Sequence, residues 1–177
     1  KVFHGMPSKP AICYSYKPAF DRFVENIVKY AEEHPEVDVV HVWLSDAPNN
    51  KCECDECRPL SISDWYAKVI NALSTELAKR VPKARFVFLC YIELLWAPEK
   101  VTIEDPDGRA IMMFAPISRC YAHALNDPDC NDGEVWERPE LNKFSASRRN
   151  AYFIDRLADW RKVFRGDAFD FDYHLMW

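Results

Sequence analysis

Arg85-Phe86-Val87-Phe88-Leu89-Cys90-Tyr91-Ile92 is a nearly continuous apolar and aromatic run, and its reading decides the fold class. A strand with one wet face alternates apolar and polar residues, whereas a strand covered on both faces of a parallel sheet does not. The run is therefore expected to be a buried parallel strand, with Glu93 at its C-terminal lip. Working outward, residues 38–44 (DVVHVWL) and 109–114 (RAIMMF) have the same density of apolar residues. Two weaker runs complete the set: Ala11-Ile12-Cys13-Tyr14 ahead of them and residues 167–176 (DAFDFDYHLM) after them.

Helical periodicity fills most of the gaps. Phe20, Phe23, Val24, Ile27 and Ala31 recur at three- and four-residue spacing behind Pro18, and Pro35 stops the run. A second helix is expected to be capped by Ser63, with Tyr66, Val69, Ile70, Leu73 and Leu77 on one face. A third is expected over residues 145–164, carrying Phe153, Ile154, Leu157 and Trp160, with Gly166 placed to end it. No helix intervenes between residues 85–92 and 109–114, and residues 116–142 form a polar connection too long to be idle.

The order predicts an α/β fold built as a partial (β/α)8 TIM-type barrel, with about five parallel strands and outer helices. A closed barrel takes eight strands and about 250 residues, and this chain has 177. With only 4 Gly there is little room for the glycine-rich phosphate loop of a dinucleotide fold, so no organic cofactor is expected. Residues 1–177 are expected to form a single domain, a fragment of a longer TIM-like barrel or a self-associating sheet, because open apolar edges invite pairing.

Composition removes other classes. At 49% hydrophobic and 14% aromatic residues, the chain has enough apolar surface to offset the entropy of ordering, which excludes intrinsic disorder. A formal net charge of -5 gives no general basic footprint, so nucleic acid is not an expected partner. No stretch approaches the ~20 apolar residues of a membrane span. Lys1 and Trp177 read as cut or processed ends, which leaves room for a removed export signal and leaves the compartment open.

The most specific local signal is Trp43-Leu44-Ser45-Asp46, then Cys52-Glu53-Cys54-Asp55-Glu56-Cys57, then Ser63-Asp64-Trp65-Tyr66 opening a helix with Asn71. Cys90-Tyr91 and Ala115-Pro116-Ile117-Ser118-Arg119, with Tyr121 and His123, extend it. This set resembles the glycoside-hydrolase-like barrels catalogued as domain of unknown function 4838, over about residues 11–125 and a weaker final strand at Phe171 to Tyr173. The family is similar to hexosaminidase- and glucuronidase-type barrels and is usually found in exported bacterial proteins. The resemblance implies carbohydrate as the ligand class and an extracytoplasmic place, periplasmic or secreted.

Barrel sites lie at the C-terminal strand ends, and glycoside cleavage needs two carboxylates flanking the bond. Asp46 and Glu93 are the pair expected to supply them, with Tyr91, Arg119, Tyr121, His123, Trp96 and Asp172 as candidate saccharide contacts. Two blander readings stand beside these: Asp46 as a loop cap, and Arg119 tied to a nearby acid such as Asp127 or Asp129. Three thiols in Cys-x-Cys-x2-Cys suit convergence on a structural zinc, with Cys13 as fourth ligand to Cys52, Cys54 and Cys57. A disulfide from Cys13 into the cluster, or free thiols, are the alternatives. Beside the carbohydrate enzyme stands a second class of function, a non-catalytic carbohydrate-binding or structural domain with a metal- or disulfide-stabilised Cys loop.

Overall fold

A computed structural model describes residues 2–3, 6–7, 12–130 and 136–173. Two short strands, β1 (Val2–Phe3) and β2 (Met6–Pro7), pair antiparallel; nothing in the sequence reading foresaw them. Helix α1 (Lys17–Glu33) starts on Pro18 in its first turn, where a missing N–H costs nothing, and buries Val24, Val28 and Ala31. Strand β3 (Val39–Val42) follows, then α2 (Ile62–Arg80), β4 (Arg85–Cys90), a 3₁₀ turn at Ile92–Leu95 and β5 (Ala110–Phe114). After a second 3₁₀ turn at Pro128–Cys130 come α3 (Asn150–Val163) and β6 (Ala168–Asp170).

The strands β3, β4, β5 and β6 lie side by side in that order, every pair parallel, in one open sheet. The α/β class with outer helices and an unclosed parallel sheet is thus present, with four strands in the sheet among the described residues where about five are expected. The expected first strand is the difference. Ala11 lies outside the described residues, and Ile12 and Cys13 are irregular, because the Cys13 carbonyl accepts the Tyr16 amide in a turn leading into α1. At the other end β6 is three residues long and residues 174–176 lie outside the described residues.

The two faces of the sheet differ. Val40, Val42, Phe86, Phe88, Cys90, Met112 and Phe114 face the helices in one large core with Tyr66, Leu73, Leu77, Phe153 and Trp160. Burying each large side chain of this kind stabilises by about 1.5–3 kcal/mol. Val87, Leu89, Met113 and Ala115 point the other way into a smaller cluster, with Val39, Tyr91, Ile111 and Tyr173 packed on it. A continuous apolar run such as β4 is what two packed faces require, since successive side chains alternate between them.

Candidate functional site

Helix α2 positions the C-terminal ends of the strands. Its cap is Ser61, two residues earlier than expected, in a reciprocal capping box with Asp64: the Ser61 hydroxyl accepts the Asp64 amide at 3.0 Å and the Asp64 carboxylate accepts the Ser61 amide at 3.1 Å. The other Asp64 oxygen accepts the amides of Glu99, Lys100 and Val101 at 3.0, 2.7 and 3.0 Å. Burial raises the Asp64 pKa, but these bonds outweigh it and hold the carboxyl below its ordinary value. Ser63 donates to the Trp96 carbonyl. Tyr66, fully buried, donates its hydroxyl to the Val42 carbonyl and accepts the Leu89 amide at 2.9 Å, so one phenol bridges β3 and β4 where they part.

Beyond that point a cavity of about 300 Å³ opens at the strand ends, lined by Asp46, Glu93, Tyr91, Trp43, Phe171 and Tyr173 among others. Asp46 and Glu93 therefore share one cavity. Burial pushes the Tyr91 and Tyr173 hydroxyls up, and the nearby Asp46 carboxylate adds to both. Glu93 is fixed: its Oε1 accepts the Asn49 amide at 2.6 Å and its Oε2 lies 3.8 Å from Lys51 Nζ, with only 10% and 5% of the two side chains exposed. Between Tyr91 and Glu93, Ile92 has φ +54°, a left-handed conformation that is a true outlier for a β-branched residue. Such strain collects at functional turns, and here it falls where β4 gives way to the 3₁₀ turn, with Tyr91, Ile92 and Glu93 all lining the cavity.

The loop carrying Asp46 is braced from the long connection after β5. Asn49 and Phe144 exchange two hydrogen bonds at 3.1 and 2.7 Å, Asn142 Oδ1 accepts the Lys51 amide at 2.8 Å, and Asn142 Nδ2 donates to Glu53 at 2.6 Å. Asn49 and Asn142 both adopt positive φ, which asparagine tolerates better than most residues.

Cys13, Cys52, Cys54 and Cys57 come together beside this loop. Their sulfurs stand 3.4 Å (Cys52–Cys13 and Cys52–Cys54), 3.7 Å (Cys13–Cys54) and 3.8 Å (Cys13–Cys57) apart, too far for bonded pairs. Four sulfurs at the corners of a tetrahedron about 2.3 Å from a central zinc would lie about 3.8 Å apart. The four thiols could hold a metal. The Ser15 hydroxyl, absent from the sequence reading, lies 3.1–3.4 Å from three of the sulfurs. Its hydrogen bond holds Cys54 down to about 6, while burial pushes Cys57 up to about 12.

The remaining candidates fall elsewhere. Arg119 pairs with Asp172 through Nε at 3.2 Å and Nη2 at 2.6 Å and lies 4.3 Å over the Tyr121 ring, so its acid is Asp172 rather than Asp127 or Asp129. Tyr121 donates to the Ile117 carbonyl at 3.1 Å. Arg119, Tyr121 and His123 line a second cavity of about 670 Å³ that meets the first at Ile117. Trp96, expected in an open loop, is buried: Arg156 lies 3.8 Å from its ring centre and Tyr152 meets its edge, leaving no face for a sugar. Trp136 packs on Tyr152 as well. His123 lies 3.2 Å from Cys120, with Cys130 close to both, a juxtaposition the sequence hid because residues 124–129 intervene.

The family model described as Domain of unknown function (DUF4838) matches residues 3–174. The chain belongs to this family. The match spans the residues of the Ser61–Asp64 box, the Cys loop and both cavities. No curated protein and no solved structure matches the chain.

Proposed function

We propose that this DUF4838 domain is a carbohydrate-active barrel segment in which Asp46 and Glu93 flank a glycosidic bond. The observation that carries the reading is the strand-end cavity, where two carboxylates stand among Tyr91, Trp43, Phe171 and Tyr173. Trp43 and Phe171 keep 48% and 40% of their surface exposed, enough to offer a flat apolar face to a sugar ring. Carboxylates supply the acid and the base or nucleophile of glycoside hydrolysis. Asp46, beside the Tyr91 hydroxyl, is exposed, whereas Glu93 is nearly buried and gripped by Asn49 and Lys51. Arg119 and Asp172 are left out because they occupy each other, and Tyr121 and His123 because they line the adjoining cavity.

The same proposal takes zinc as the ion of Cys13, Cys52, Cys54 and Cys57. Four thiolates make a closed site, which is structural rather than catalytic, and its role is to pin the loop that carries Asp46. It further takes the sheet face opposite the helices as the inside of a barrel completed by more chain or a second copy.

A panel of aryl glycosides tests the chemistry. Turnover is expected, with Asp46→Asn and Glu93→Gln each lowering kcat/KM by about 10²-fold or more, without a change in fold by circular dichroism. One observation favours a second reading, a binding domain without hydrolysis: Glu93 is already used to brace the loop. Saccharide binding that survives both substitutions, with no turnover of any glycoside, would establish that reading and remove the first.

A further inference from the structure

Cys120, His123 and Cys130 place two thiol sulfurs and an imidazole nitrogen within 4.8 Å of one another at the wall of the larger cavity. The saccharide reading uses none of them. The three are held from below. Asn150, fully buried at the start of α3, accepts the Cys120 amide at 3.0 Å and donates to the carbonyls of His123 and Ala124 at 3.2 and 2.9 Å. Arg119 donates to the Cys120 carbonyl at 2.9 Å. Cys130 closes the 3₁₀ turn Pro128–Cys130, where its amide donates to the Asp127 carbonyl at 3.1 Å, and it is buried, while His123 is exposed.

We propose that Cys120, His123 and Cys130 form a second metal site, taking zinc or a similar borderline-soft divalent ion, separate from the four-cysteine cluster. Two sulfurs and one nitrogen are a recognised zinc donor set, and a three-ligand set leaves the fourth position for water or a ligand atom from the cavity. A backbone fixed by neighbouring side chains is how metal ligands are oriented. Cys120 Sγ and His123 Nδ1 already stand 3.2 Å apart, near the ligand spacing around zinc, and the Cys130 sulfur lies within 4.8 Å of both. As the metal–sulfur bonds form, each thiol releases its proton to solvent and no electron is transferred. Two rival uses of the cluster account for fewer of its members. A Cys120–His123 nucleophile pair leaves Cys130 idle, and a Cys120–Cys130 disulfide leaves His123 idle.

The test is a titration of reduced, metal-free protein with Zn²⁺ against a chromophoric chelator. Wild type should bind one equivalent more than His123→Ala, a substitution at an exposed side chain that leaves the fold intact, and Cys120→Ser should match His123→Ala. Because the result is a difference between proteins, it does not depend on whether the four-cysteine cluster binds metal. Equal stoichiometry in wild type and both variants would overturn the proposal. A Cys120–Cys130 disulfide found by mass spectrometry of the unreduced native protein would overturn it too.

Discussion

The Tyr66 hydroxyl does between Val42 and Leu89 what backbone groups do further down the β3–β4 ladder: it satisfies one carbonyl and one amide in a place water does not reach. Buried backbone groups without partners cost free energy comparable to a lost hydrogen bond. Tyr66→Phe keeps the ring and its edge-on contact with Phe88 but orphans both groups. Urea denaturation should show a loss of about 1–3 kcal/mol, and an unchanged midpoint would show that the strands close the gap on their own. The effect should reach the cavity, because Leu89 and Tyr91 both line it.

At the scale of elements, Asp64 joins the start of α2 to residues 99–101, so one carboxylate organises a helix end and a loop together. Its folded pKa lies below the unfolded value, so the stability it contributes is fully present above about pH 4. That contribution is lost as pH falls through the folded value, because between the two values the unfolded chain already holds the proton that the folded carboxylate lacks. Asp64→Asn should lower stability by about 1–2 kcal/mol near neutral pH. The gap between the two proteins should narrow in melts taken below about pH 4. A gap that stays constant down to strongly acid pH would mean that the carboxylate charge contributes nothing.

At the scale of the whole molecule, the four-cysteine cluster joins the turn before α1 to the loop after β3, and that loop is bonded in turn to residues 142–144. Chelation of the proposed zinc should therefore speed hydrogen exchange at residues 45–58 and 142–144, leaving α2 and β4 amides protected by the main core. Slow exchange in both loops after the metal is gone would assign their order to Asn49 and Asn142 instead. The architecture was legible in the sequence because continuous apolar strands and three- and four-residue apolar spacing reflect a period of burial, a local property of the chain. The strand at residues 11–14 misled because a short apolar run has no period to distinguish a strand from a turn packed under a helix. The Cys-x-Cys-x2-Cys loop announced itself by spacing, and Cys13 joined it because topology carries both to the same end of the sheet. The sequence by itself determined the α/β class, the helices, the strand-end residues Asp46 and Glu93 and the thiol loop, since each is written in neighbouring residues. Only the tertiary structure decided that Arg119 belongs to Asp172, that Trp96 is buried, that Lys51 and Asn49 grip Glu93, and that Cys120, His123 and Cys130 meet. Those pairings join residues up to 60 positions apart, as with Trp96 and Arg156, and their geometry is set by how the layers pack, which no local pattern encodes.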